Sequence, residues 1–462
     1  MVRSTVVLFS ALILFAVTCA KKPAETFTGR KGEIQLLILD PGHFHATLIQ
    51  KTMYPQISPD VRVYSPGGPE LEDYLKRVNG FNTRTENPTS WNQIVYTGPE
   101  YLKHMIQDKA GNVMVTAGNN RQKTEYIQAT VDAGIHVLAD KPMCIDPAGY
   151  ELLKAAIATA GEKGVLIKDI MTERHEITSI LQRELARRPD VFGILLPGTE
   201  EEPAVTKESV HHFFKTVSGS PIIRPAWFFD VAQQGEGLVD VTTHLVDLVQ
   251  WGCFPEQVVQ CPTDIEMLNA KRWPTRISRA QFEKATGEKD FPDFLKKDVD
   301  TAGVLNVYSN GEMAYKIKGV HAKVSVIWNF EAPPGGGDTH FSIMRGSKAN
   351  LVIRQGKEQN YKPELFVEPV KGTDAKALGE TLKQAAADLE KTYPGVGLER
   401  EKSAWQVLIP DSYRIGHEAH FGQVVEEFLK ALIDGKLPDW EVPNMIAKYY
   451  ITTSALEMAR RQ

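Results

Sequence analysis

The chain has 462 residues, more than one hydrophobic core usually serves, so its length predicts two domains. Apolar residues make up 42% and charged residues 24%, proportions typical of globular proteins rather than of disordered or fibrous chains. A net charge of -5 and the lack of a lysine and arginine run exclude a surface built for the nucleic-acid backbone. We therefore expect a small-molecule ligand and no nucleic-acid partner.

The N-terminal segment is typical of an export signal. Arg3 is followed by an apolar run, Val6 to Val17, that is too short to span a bilayer. Cys19 closes this run in a sequence similar to a bacterial lipobox, where lipidation would supply the only membrane anchor. Ordinary cleavage after Ala20 is the alternative. We predict a signal peptide over 1–19, a linker over 20–32, and an exported bacterial protein, either periplasmic or a membrane-anchored lipoprotein.

Residues 33–170 alternate predicted strands with predicted helices. Ile34 to Asp40 is a nearly continuous apolar run that stops at Pro41-Gly42, as a buried parallel strand does. Further strands are predicted over 61–64, 112–116 and 136–140, and helices over 45–54, 71–78, from 100, and over 125–134. This alternation predicts a Rossmann domain, a doubly wound parallel α/β sheet that binds a dinucleotide.

Residues 171–462 are predicted to form an α+β domain for substrate binding and catalysis. After a helix over 178–188, apolar strands follow with few helices, which indicates a large, mostly antiparallel sheet. The charged stretch from Lys271 to Lys297 is interpreted as an excursion outside the core, and two terminal helices are predicted over 417–433 and 443–460. If the chain forms a homo-oligomer, we expect contact through this sheet.

The three remaining cysteines lack the spacing of a metal site or of a disulfide framework. They are Cys144, Cys253 and Cys261, and we interpret them as structural. A bond between Cys253 and Cys261 stays open, because the sequence does not decide it.

The turn after the first strand stands where a dinucleotide-binding fold carries G-x-G-x-x-G, but only Gly42 remains of that pattern. His43 and His45 flank Phe44, and we interpret all three as packing or nucleotide contacts. Two histidines without a third ligand nearby do not predict a metal site. Ser65 stands where the acid that binds the adenosine ribose usually occurs, so NAD and NADP both stay open.

Residues 111–146 resemble the Gfo/Idh/MocA oxidoreductases, whose fifth strand ends in E-K-P. Here the triplet is Asp140-Lys141-Pro142, and Asn119 and Asn120 follow the fourth strand as in that family. The resemblance implies a nicotinamide cofactor, NAD or NADP, which an exported protein would have to hold tightly. It also implies that a set of residues contacts this cofactor: Gly42, Asn119, Asn120, Lys123, Asp140 and Lys141.

A second match runs from Trp227 to Leu248 and contains the family's D-x-x-x-H-x-x-D. Asp240 and His244 are four residues apart on a predicted helix, so the carboxylate could fix the imidazole tautomer and leave a general base. The resemblance adds Lys141, which would hold the reacting oxygen. We therefore predict Lys141, Asp240 and His244 as the catalytic residues.

The resemblance also places other residues around the cofactor and substrate. Arg174 matches a stretch that lies near the nicotinamide, Glu173 and His175 would contact hydroxyl groups, and Trp227 and Asp230 would line a sugar pocket. His417 and His420 lack the spacing of a zinc-binding helix, so no metal is assigned to them.

These residues predict an NAD(P)-dependent dehydrogenase that oxidises a secondary hydroxyl of a sugar or glycoside, with C3 of a glycoside as the leading choice, or that catalyses the reverse reduction. Two alternatives stay open. One is an NAD-dependent glycosidase or lyase that works through transient oxidation at C3. The other is a non-catalytic carbohydrate-binding protein on a dehydrogenase scaffold.

Overall fold

The computed structural model describes residues 27–217 and 220–462. The predicted signal peptide, the anchor at Cys19 and most of the linker lie outside these residues. Among the described helices, none is both long and apolar enough to cross a membrane.

Six parallel strands form the sheet of the N-terminal domain, which confirms the predicted fold class. They are β1 (Leu36–Leu39), β2 (Asp60–Ser65), β3 (Asn92–Thr97), β4 (Val113–Thr116), β5 (His136–Asp140) and β6 (Ile167–Ile170). Their order is β3-β2-β1-β4-β5-β6, so the chain reverses direction across the sheet between β1 and β4. Ligands of open α/β sheets bind in the crevice at such a switch point, outside the carboxyl ends of the strands.

Helices connect these strands on both faces. They are α1 (Pro69–Thr83), α2 (Tyr101–Asp108), α3 (Lys123–Asp132) and α4 (Pro147–Lys163). The segment predicted as a helix over 45–54 forms a 3-10 helix over Phe44–Gln50 instead, with the His43 side chain accepting from the backbone N–H of His45 at 3.4 Å. The first turn of this sheet therefore lacks the long α-helix that usually faces a pyrophosphate.

The second domain is built on a nine-stranded sheet. Its strands are β7 (Val205–Phe214), β10 (Ile265–Ile277), β11 (Leu305–Ile317), β12 (Val320–Glu331), β13 (Thr339–Arg345), β14 (Ala349–Arg354), β15 (Glu364–Pro369), β16 (Gly397–Glu401) and β17 (Ala404–Leu408); a separate short hairpin pairs β8 (Thr216–Val217) with β9 (Ser220–Pro221). The order is β10-β11-β12-β7-β13-β14-β15-β17-β16, and every neighbouring pair is antiparallel except β12 with β7. The predicted mostly antiparallel sheet is confirmed.

The stretch from Lys271 to Lys297 is part of the core, so its interpretation as an excursion was wrong. Its first seven residues belong to β10, and the helix α8 (Arg279–Thr286) follows directly. Phe282 and Leu295 are fully buried in an aromatic cluster beneath the sheet. The charged residues that suggested an excursion lie on the outer faces of these elements.

In the described residues after α4 there are seven α-helices: α5 (Ile177–Ala186), α6 (Val231–Gln234), α7 (Thr242–Cys253), α8, α9 (Ala375–Thr392), α10 (His417–Asp434) and α11 (Glu441–Arg460). The last two occur where the sequence predicts them; α10 packs against the first domain, whereas α11 contacts both domains, with Ile451 and Leu456 in the core of the second. Phe421 and Phe428 of α10 pack with the residues of β1, and Tyr449 of α11 packs beside β5. The boundary between residues 170 and 171 stays a prediction, and the final helices contribute to the core on its N-terminal side.

Within the described residues, Cys144, Cys253 and Cys261 are all free thiols. Burial raises the pKa of Cys253 to about 12, opposed only by the charge of Lys207, so this thiol stays protonated. The open alternative of a Cys253–Cys261 bond is therefore not the state of this structure.

Candidate active site

The turns after β1 and β4 pack directly against each other at the switch point. A Cβ at Gly118 would lie 2.6 Å from the Asp40 carbonyl oxygen and 2.7 Å from the Gly42 nitrogen, so no larger residue fits there. The backbone N–H groups of Gly42 and His43 both donate to the Ala117 carbonyl at 3.1 Å. In a glycine fingerprint such amides face the pyrophosphate, but here the protein itself satisfies them.

The residues after β4 are tied to the second domain. Asn119 donates from its side-chain nitrogen to Gln233 Oε1 at 2.6 Å, and Asn120 donates to the Gln234 carbonyl at 2.7 Å. Lys123 is fully buried and donates to Asn120 Oδ1 and to the Asp140 carbonyl. Burial lowers the pKa of Lys123 to about 8. These contacts fix the carboxyl ends of β4 and β5, and the cofactor contacts predicted for the three residues stay predictions.

Lys141 directly follows β5 and forms a buried ion pair with Asp240. Its Nζ donates to Asp240 Oδ1 at 2.8 Å, with only 14% of the lysine side chain exposed. Burial lowers the pKa of Lys141, but the nearby carboxylates of Asp240 and Asp140 raise it by more, so the ammonium form is stabilised. The other Asp240 oxygen accepts from Gln234 at 3.1 Å.

The predicted contact between Asp240 and His244 was wrong. The helix α7 begins at Thr242, so Asp240 precedes it and does not share a helical face with His244. The His244 Nδ1 atom is buried and has no hydrogen-bond partner. Burial and then the positive charge of Lys141 lower the pKa of His244 to about 3, so the ring is neutral and its Nδ1 atom is unused by the protein.

Arg174 was predicted to lie near the nicotinamide, which stays a prediction, and in this structure acidic side chains occupy its guanidinium. Its guanidinium donates two bonds to Asp247, both 2.6 Å, and two to Glu441 at 2.8 and 3.0 Å. Lys448 contacts the same Asp247 carboxylate and also Asp169, each at 2.8 Å. This buried network joins β6, α7 and α11, so the final aspartate of D-x-x-x-H-x-x-D has a structural role.

His43, His45 and Asp140 lie together, although their sequence separation gave no hint of it. The Asp140 Oδ2 atom is 2.9 Å from His45 Nδ1 and 3.6 Å from His43 Nδ1, a grouping that could hold a metal ion. The His45 Nε2 atom is 2.9 Å from the Nε2 of His417, which begins α10. Sequence reasoning rejected a metal here because a third ligand was missing, and the fold supplies one.

The other predicted contacts lie around this region. Ser65 accepts from the Gly67 N–H at 3.1 Å and shapes the turn after β2, while Trp227 packs on the Gly42 turn. Asp230 caps α6 and also accepts from Lys297 at 3.2 Å. Their roles towards cofactor or sugar stay predictions.

Three further predicted contacts also stay predictions. The ring of Phe44 packs beside those of His43 and His45. Glu173 lies 3.7 Å from His417, and His175 lies 3.6 Å from Glu427.

Two acidic residues beside the crevice were missed. Glu70 is the second residue of α1, and its carboxylate lies 3.6 Å from the position of a Cβ on Gly68, close to the end of β2. Asp40, at the end of β1, accepts from the Tyr126 hydroxyl at 2.9 Å, and burial raises its pKa. Glu70 could have been found by extending the search beyond Ser65 into the next helix. An acidic residue in the first turn of a helix also interacts favourably with the helix dipole.

A family model described as "Putative oxidoreductase C terminal domain" matches residues 181–460. The crystal structure of a "putative oxidoreductase" from Parabacteroides merdae is 60% identical, covers 95% of this chain and 100% of its own, and superposes with a TM-score of 0.93. The chain belongs to the Gfo/Idh/MocA-type oxidoreductases. A comparison with curated proteins gave no match.

More distant members of this fold have been solved with nucleotides. Levoglucosan dehydrogenase in complex with NADH is 13% identical over 93% of this chain and 97% of its own, with a TM-score of 0.58. A 3-ketoreductase from Actinomadura kijaniata, in complex with NADP and TDP-benzene, is 13% identical over 90% and 95%, with a TM-score of 0.54. At this identity the likeness shows the shared fold.

Proposed function

We propose that this oxidoreductase transfers a hydride between a nicotinamide nucleotide and a secondary hydroxyl of a sugar or glycoside, with C3 of a glycoside as the leading position. The observation that carries the proposal is the buried Lys141–Asp240 pair at the carboxyl edge of the parallel sheet. A small cavity beside Asp240 is lined by the rings of Phe213, Phe228 and Trp328. This cavity has room for about one water molecule, so it marks a gap in the packing beside Asp240 and is too small for a sugar ring.

The nicotinamide and adenosine ends of such a nucleotide fit residues on this edge. The unpartnered His244 Nδ1 near Lys141 offers a polar contact in a buried place, and Gly67 has open space beside it after β2. The Gly42 turn does not offer its amides, so other groups must bind the pyrophosphate. When bound, the nucleotide supplies the carbon that accepts or donates the hydride.

Lys141, Asp240 and His244 have separate roles towards the reacting hydroxyl group. The Lys141 ammonium donates to the reacting oxygen and stabilises the developing alkoxide, as a preorganised donor does in a water-poor site. Asp240 holds that ammonium in place and charged, so it is a positioning residue for Lys141 and not for His244. The neutral His244 accepts the hydroxyl proton during oxidation and returns it during reduction.

The first experiment is to denature the purified chain and identify released nucleotide by mass spectrometry, then to test glycosides for turnover. Lys141→Met should lower kcat by about 10²- to 10³-fold, the typical cost of losing one donor to a developing oxyanion. Lys154→Met is the matched control, because Lys154 is an exposed lysine paired with Glu151 on α4. Equal activity of the two variants would refute the role of Lys141.

Two other outcomes would replace the proposal. Release of free sugar from a glycoside without net NADH would indicate the glycosidase or lyase that oxidises C3 transiently. Binding of a sugar with no nucleotide released, none bound and no turnover would indicate a carbohydrate-binding protein.

We also propose that the protein is exported, on the evidence of its N-terminal sequence, and that Cys19 carries a lipid. Labelling cells with a palmitate analogue should mark the wild-type protein and not Cys19→Ser. Label on neither protein, with the chain found in the periplasm, would indicate ordinary cleavage instead.

A further inference from the structure

Two histidines from opposite ends of the chain meet beside the site. His45 lies in the 3-10 helix after β1 and is buried, whereas His417 begins α10 and is partly exposed. Their Nε2 atoms are 2.9 Å apart, which is within contact distance for two heteroatoms. Such an approach requires a positive charge or a shared hydrogen between the two nitrogens.

The other nitrogen of each ring faces a carboxylate. Asp140 Oδ2 lies 2.9 Å from His45 Nδ1, and Glu173 Oε1 lies 3.7 Å from His417 Nδ1. A carboxylate beside Nδ1 favours a hydrogen on that nitrogen, which leaves the Nε2 lone pair free. In that tautomer both Nε2 lone pairs face the 2.9 Å gap, whereas in the other tautomer of either ring one Nε2–H donates to the other nitrogen. Carboxylate–histidine pairs of this kind orient the imidazole ligands of metal ions in many proteins.

We propose that His45 and His417 bind a divalent transition-metal ion between their Nε2 atoms, with Asp140 and Glu173 as positioning residues. Metal–nitrogen bonds of about 2.0–2.1 Å and a nitrogen separation of 2.9 Å give an angle near 90° at the metal. This angle suits tetragonal or octahedral ions such as Cu²⁺ and Ni²⁺. The remaining positions are open to water or to an oxygen of a ligand.

This site goes beyond the proposed hydride transfer and does not depend on it. Its ligands come from the turn after β1 and from α10, whereas the reacting oxygen is assigned to Lys141. The Gly42 turn, whose amides do not face a pyrophosphate, instead presents the side chains of His43 and His45 to the crevice.

The test uses the untagged chain after dialysis against a chelator. Isothermal titration with Ni²⁺ should show one site per chain, and Cu²⁺ should give an electron paramagnetic resonance spectrum with coupling to two imidazole nitrogens. His417→Ala should weaken Ni²⁺ binding by at least about tenfold and reduce the coupling to one nitrogen, and Glu173→Gln should weaken binding by about 10- to 100-fold as orienting partners do.

His104→Ala is the matched control, because His104 is a partly exposed histidine on α2, away from this pair. It should leave the affinity for Ni²⁺ and the Cu²⁺ spectrum unchanged. His417→Ala is suitable because His417 is partly exposed at the first position of its helix, and circular dichroism would check that this variant folds. Absence of a Ni²⁺ site, equal affinity of the His417 and His104 variants, or coupling to a single nitrogen in the wild type would each overturn the proposal.

Discussion

Replacing His244 should change how the stability of the protein depends on pH. The imidazole has an ordinary pKa of 6.5, which burial and then the charge of Lys141 lower to about 3 in the folded protein. Between these two values the unfolded chain binds a proton that the folded protein does not. Acidification therefore favours unfolding, and the stability that this group contributes is present above pH 6.5 and lost as the pH falls towards 3.

The size of the effect follows from these two pKa values. Lowering the pH from 7 to 5 should reduce the free energy of unfolding by about 2 kcal/mol through the protonation of His244 alone. In His244→Gln this part of the loss should disappear, since glutamine does not titrate. The measurement is urea unfolding of wild type and variant at both pH values, with His104→Gln, a change at a partly exposed histidine, as control. An equal pH-dependent loss in the wild type and in His244→Gln would refute the lowered pKa of a neutral, buried His244.

Three further predictions concern the frame of the site. Gly118→Ala should lower the free energy of unfolding by about 1–3 kcal/mol, because its Cβ would lie 2.6 Å from the Asp40 carbonyl oxygen. Gly161→Ala is the control: the helix has open space there, so this variant should raise the free energy of unfolding by about 0.5–1 kcal/mol in the same urea titrations. Arg174→Met should lower the free energy of unfolding by about 3–5 kcal/mol and leave the affinity for NADH unchanged in fluorescence titrations. A large loss of NADH affinity with normal stability would instead support the predicted contact with the nicotinamide. Glu70→Gln should improve NADP binding relative to NAD by at least about tenfold, because a like charge near the 2'-phosphate is removed; an unchanged ratio would exclude Glu70 from the ribose site.

Much of the fold could be predicted because buried parallel strands carry a strong signal. The apolar runs of β1, β4 and β5 are enclosed on both faces, and their sequences show it. β3 was missed, since it is an edge strand with mostly exposed side chains and no alternation. β10 was misread for a related reason: it is also an edge strand, and its charged residues face outwards.

The site was only partly predictable, because spacing along a helix assumes where the helix begins. Asp240 and His244 have the correct separation, but α7 starts between them. The Asp240 carboxylate therefore accepts a hydrogen bond from Lys141 and does not contact His244. Arg174 lies at the expected place in the chain, but its guanidinium forms an ion pair with Asp247, which is one turn of α7 beyond His244. No local pattern could have brought His417 to His45, which are 372 residues apart.

The packing of α10 against the first domain has a consequence for the order in which this chain can fold. The strand β1 is made early relative to Phe421 and Phe428, which cover it and are synthesised only after every strand of the second sheet. This face of the parallel sheet therefore keeps apolar surface uncovered until α10 has been made. A truncation that removes only the last helices should leave the first half soluble only with the help of a chaperone, even though every strand of its sheet is present.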